Sequence, residues 1–130
     1  MAETPAGEDG PPLSETLSET LSEIRIARAV VGAAQSVSGF AGVSPGRFAE
    51  AATYGPGETV RGVVVRRLSG ALTVEVHLRA AYTPALVLPA LAGQLRDAVR
   101  HAVSGLGAEP IQRIDIAFDD LSVAKTSEED

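Results

Sequence analysis

His77 lies in "VEVHLRA", with Glu75 two residues before it and Arg79 two residues after. It is one of only two histidines in the 130-residue chain, and histidine is the side chain whose ordinary titration falls near neutrality. On an extended strand the side-chain period is two, so carboxylate, imidazole and guanidinium project from one face. Such a row can transfer a proton, or it can form a polar ladder with the neighbouring strands. The ladder is the expectation here. Glu75, His77 and Arg79, together with Arg61, Arg67 and Tyr54, are read as an interaction face. A small-ligand site near Tyr54, His77 and Arg79 is the alternative. His101 falls late in a helical pattern, where a cation suits the helix dipole.

Other chemistry finds few carriers. The chain has no Cys, which removes disulfides and thiolate metal sites. The two histidines show no HxxxH or HxH spacing, so no metal site is expected. "GFAGVSPG" and "YGPGETVRG" lack the Lys-Ser/Thr of a P-loop and the spacing of a dinucleotide fingerprint, and no GxSxG elbow occurs. No catalytic, cofactor-binding or metal-ligating residue is assigned, and no cofactor is expected.

Charge is partitioned along the chain. Residues 1–23 carry six acids and no base, residues 24–117 carry ten arginines and six acids, and residues 118–130 carry five acids and one lysine. A mildly basic body is thus flanked by acidic tails, which solubilise or screen a basic face. Nucleic acid is not expected as a partner from this pattern, because stacking aromatics are limited to Phe48 and Tyr54 and the tails repel a polyanion. An anionic polymer or lipid held on an arginine face is kept as a second alternative. With no basic leader and no long apolar run, the sequence reads as a cytoplasmic protein without direct membrane insertion.

The elements that position these residues follow from periodicity. The opening "MAETPAGEDGPP" has little to bury and is expected to be disordered. "LSETLSETLSE" at 13–23 carries a leucine stripe, but like charges four residues apart weaken it as a helix, and it is read as an acidic tether. "IRIA" is expected as a short strand, "RAVVGAAQSV" as a helix and "GFAGVS" as a strand. A Gly-Pro-Gly turn falls at 55–57 after an extended piece around Phe48. "TVRGVVVRRL" reads as one strand, and "SG" at 69–70 as a tight turn into "ALTVEVHLRAAY". There Leu72, Val74, Val76, Leu78 and Ala80 share one face, and the polar residues share the other. A long helix from Pro89 to about Ser104 covers the sheet, and "IQRIDIAF" is the last strand. The sum is an α+β two-layer sandwich, one mostly antiparallel sheet under two helices. The domain spans residues 24–121, with disordered acidic tails at 1–23 and 122–130.

Order and spacing together resemble a known family. Phe48, Glu50, Ala52, Thr53, Tyr54, Pro56 and Gly57, then Gly62 and Val63, then Val74 to His77, are similar to the alkaline shock (envelope stress response) proteins of actinobacterial type. The likeness covers roughly residues 24–121. The first helix is shorter here than in many members, which affects how that element packs. The resemblance implies a non-enzymatic protein linked to envelope stress or envelope homeostasis, often held at the inner membrane face by a membrane-anchored partner, with no catalytic residues. An interaction and scaffold role, through protein contacts and homo-oligomers, is therefore expected. An edge strand such as the last one offers one route to self-association.

Overall fold

The computed structural model describes residues 22–46 and 50–123. The leucine repeat up to Leu21, Phe48 and the C-terminal residues from 124 lie outside them. The elements in order are α1 (Glu23–Gln35), β1 (Phe40–Val43), β2 (Ala52–Gly55), β3 (Glu58–Arg61), β4 (Val63–Leu68), β5 (Ala71–Ala81), α2 (Leu88–Gly105) and β6 (Ile111–Ser122). Both helices pack on one face of the main sheet, giving the two-layer α+β fold expected from the sequence.

The first correction is at "IRIA", which is the first turn of α1 and not a strand. Ser22 caps it: its Oγ accepts from the Arg25 amide at 3.3 Å, and Glu23 lies in the first turn. That pairing satisfies one orphan N–H and suits the dipole. Ile24 and Ile26 looked like a strand face because both are buried. On the helix they point to different neighbours. Ile24 lies against Gly55 of the β2–β3 hairpin, and Ile26 enters the core with Ala27, Val30 and Ala34. The last residues of the acidic repeat thus belong to the first helix.

β5 is the centre of the sheet. Its even residues from Leu72 to Ala80 are fully buried beneath the helices, beside Leu95, Val99 and Val103 of α2. β4 pairs antiparallel with the first half of β5, from Val63 opposite Val76 to Leu68 opposite Ala71. Ser69 and Gly70, both with positive φ, form the tight turn between them. β1 pairs antiparallel with the second half, Val43 opposite Leu78. The strands therefore lie end to end along one edge of β5 and meet at His77, whose N–H donates to Gly62 and whose C=O accepts from Ser44.

The second correction concerns "TVRGVVVRRL", which is broken at Gly62. Gly62 has φ +87°, and a Cβ there would sit 2.6 Å from the Val43 Cβ. The corner where β1, β3, β4 and β5 converge therefore accepts only glycine. The chain upstream of it, β3, pairs with β2 as a separate hairpin. Thr53 fastens that hairpin to β4. Its buried Oγ1 donates to Val63 C=O at 2.6 Å and accepts from the Val65 amide at 3.1 Å, occupying backbone groups on the free edge of β4.

β6 runs along the other edge of β5 in parallel, because α2 carries the chain back across the sheet. Three of the four strand pairings are antiparallel, and this one is not. A bulge between the Leu78–Phe118 and Arg79–Asp120 pairs leaves Asp119 as an extra residue.

Candidate interaction face

The helix-free face of the sheet gathers Val64 and Arg66 from β4, Thr73, Glu75, His77 and Arg79 from β5, and Arg113, Asp115 and Ala117 from β6. His77 is at its middle. Its Nδ1 lies 3.3 Å from Asp119 Oδ2, and its Nε2 lies 3.4 Å from Glu75 Oε1. A general base needs a ring nitrogen aimed at a substrate proton. Here both nitrogens face carboxylates, so the imidazole ties β5 to β6. Those carboxylates approach opposite edges of the ring and do not share one point in space. Ser44, the nearby hydroxyl, accepts from the Gly46 amide at 3.2 Å. Among the described residues no group of three His, Cys, Asp or Glu side chains is arranged to hold a metal ion.

Arg79 also has a structural task. Its guanidinium lies across β1, with Nη1 donating to Val43 C=O at 3.1 Å and Nη2 to Ala41 C=O at 3.4 Å. A Cβ on Gly42 would meet Nη2 at 2.6 Å, so glycine at 42 makes room for the clamp. Arg113 pairs with Asp115 at 3.1 Å on the same face. The result is a surface of interleaved charges. A shallow recess lined by Gly46, Glu50, Ala51, Val64, Arg66 and Glu75 opens beside His77.

The six residues read from the sequence as one face are split by the fold. Glu75, His77 and Arg79 come together. Tyr54 is 70 % exposed on the β2–β3 hairpin and does not line the recess at His77. Arg61, on β3, borders a different groove between α1 and the hairpin, with Arg28, Val31 and Gln35. Arg67 reaches the helical side, where it hydrogen-bonds Glu109 in the loop before β6 and approaches Glu23 at 3.8 Å. That partnership holds the Glu109 carboxyl below its ordinary range and raises the Arg67 guanidinium.

The remaining arginines are equally dispersed. Arg28 pairs with Glu58. Arg96 and Arg100 of α2 reach backbone carbonyls of β6. No single arginine face forms among the described residues. Asp119 is the functional neighbour that the sequence reading passed over. It follows directly on the expected strand "IQRIDIAF", which ends at Phe118. Thr53 was seen as part of a motif, and its two hydrogen bonds across ten and twelve residues carry no local signal.

No protein-family profile and no curated protein matches the chain. Three solved chains described as variants of the MamM CTD, one of them a zinc form, superpose with TM-scores of 0.41, 0.40 and 0.40 at 14%, 15% and 15% identity. The overlaps cover 79%, 78% and 82% of this chain and 99%, 94% and 92% of those chains. Likenesses with TM-scores near 0.4 assign neither family nor function.

Proposed function

We propose that this chain is a non-enzymatic interaction module of the alkaline shock type, engaging a protein partner and further copies of itself through the open sheet face. The observation that carries the proposal is the face itself: a sheet covered by helices on one side only, whose other side presents interleaved Arg66, Glu75, His77, Arg113 and Asp115 around half-buried apolar Val64 and Ala117. Mixed charge with apolar patches suits a protein surface of complementary pattern. A polyanion or anionic lipid would be better served by clustered arginines, and these are scattered and largely engaged. A proton-transfer or small-ligand role at His77 is disfavoured by the occupation of both ring nitrogens.

The link to envelope stress, and a place at the inner membrane face through an anchored partner, come from the resemblance over residues 24–121. None of the described helices is long and apolar enough to cross a membrane. Light scattering over a concentration series tests the proposal. The mass should rise above the 13.4 kDa of one chain, and Glu75→Arg on the open face should suppress the rise while leaving the fold intact. A monomer at every concentration, together with no protein recovered by the chain from membrane fractions, would end the proposal.

A further inference from the structure

β6 is an edge strand whose outer side is closed at both ends and open in the middle. Among the described residues it pairs with β5 alone. Alternate residues of a strand turn their N–H and C=O to opposite sides. The bonds Leu72 N–H to Pro110 C=O and Tyr82 N–H to Ser122 C=O fix which residues face β5 at each end, and the register turns Ile114, Ile116 and Phe118 outward. Upstream, Arg100 Nη1 donates to Ile111 C=O at 3.2 Å and Arg96 Nε donates to Ile114 C=O at 3.3 Å. Downstream, the Asp120 carboxylate accepts from the Leu121 amide at 2.8 Å. Between these stops the Ile114 N–H and both backbone groups of Ile116 and Phe118 have no partner among the described residues.

Edge strands are usually blunted along their length to prevent pairing with other chains. Here side chains blunt the ends and leave a window. The side chains around it are sorted by face. Asp115 and Asp119 flank it on the open face, and Ile116 and Phe118 are partly buried on the helical side.

We propose that the window from Ile114 to Phe118 docks an extended segment of a partner protein whose side chains alternate basic and apolar. Its backbone would complete the ladder, its basic residues would face Asp115 and Asp119, and its apolar residues would meet Ile116 and Phe118. A second copy of β6 supplies fewer bases: paired antiparallel about Ala117 it sets Asp115 against Asp119, and paired about Ile116 it brings one base, Arg113, to Asp119 and none to Asp115. The chain's own outer segments carry the wrong charge. Residues 1–21 have no base, and residues 124–130 have one lysine against three acids. This backbone edge goes beyond the open-face proposal and shares Asp115 with it.

The test uses the full chain and a seven-residue peptide alternating Lys and Val, blocked at both ends. Two controls accompany it, a Glu–Val peptide of the same pattern and a Lys–Val peptide N-methylated on alternate residues along one edge. Amide exchange is followed by NMR. Saturation with the Lys–Val peptide should slow exchange at Ile114, Ile116 and Phe118 by about tenfold or more, with neither control doing so. Arg96→Ala, which frees the Ile114 carbonyl, should tighten binding severalfold. Equal binding of the Glu–Val or N-methylated peptide, protection elsewhere with none at these amides, or no binding at millimolar peptide would each overturn the proposal.

Discussion

Leu78 and His77 are adjacent in β5, yet they belong to different surfaces. Leu78 is sealed under the helices, whereas His77 links strands on the uncovered face through two carboxylates. The contrast extends along the strand: even positions hold the fold together, and odd positions carry polar groups whose partners are mostly other polar groups at the surface. Stability and recognition are thus separated by the two-residue period of one strand.

Truncating each neighbour in turn and measuring urea unfolding separates the two roles. Leu78→Ala should cost about 2–5 kcal/mol, the range for a fully buried leucine that leaves a cavity. His77→Ala should cost less than about 1 kcal/mol, since the Glu75 and Asp119 side chains it leaves lie at the surface and gain water when the ring is removed. Similar losses for both would deny that the two faces differ in role.

Between these extremes lie the residues that join the two surfaces. Gly62→Ala places a side chain at φ +87° and against Val43, and should cost about 2–3 kcal/mol. Thr53→Val keeps the shape but strands the Val63 carbonyl and the Val65 amide. A loss of about 1–3 kcal/mol is expected, with faster amide exchange at Val65.

The smallest effect depends on pH. Folding lowers the Glu109 carboxyl below its ordinary value through the Arg67 hydrogen bond. A carboxyl lowered on folding contributes stability that is complete above its unfolded value and is lost as the pH falls through the folded one. Glu109→Gln should therefore destabilise by about 1 kcal/mol at neutral pH. The gap to the parent should close as the pH drops below the ordinary carboxylate range. A gap that stays constant or widens on acidification would show that the pair acts through packing.

Much of this architecture is written locally. The alternation in "ALTVEVHLRAAY", the positive-φ turn at Ser69 and Gly70, and the apolar stripe of the long helix are short-range patterns that fixed β5, its hairpin and α2 in advance. "IRIA" misled because two β-branched residues two apart suit a strand, and only tertiary contact shows that Ile24 is buried by the hairpin and Ile26 by the core. The candidate face was half legible. Parity placed Glu75, His77 and Arg79 together, but whether Arg61, Arg67 and Tyr54 joined them depended on the interruption of the strand at Gly62 and on an ion pair with Glu109, forty-two residues away from Arg67. Side-chain bonds across such separations leave no periodic trace in a single sequence.

Whether the open face is the working surface can be read by placing a photoreactive amino acid at exposed Arg66, on that face, and separately at exposed Asp97, on the outside of α2, and irradiating living cells. Discrete protein adducts, including a second copy of the chain, are expected from position 66 and none from position 97. Adducts from position 97 alone would contradict that role.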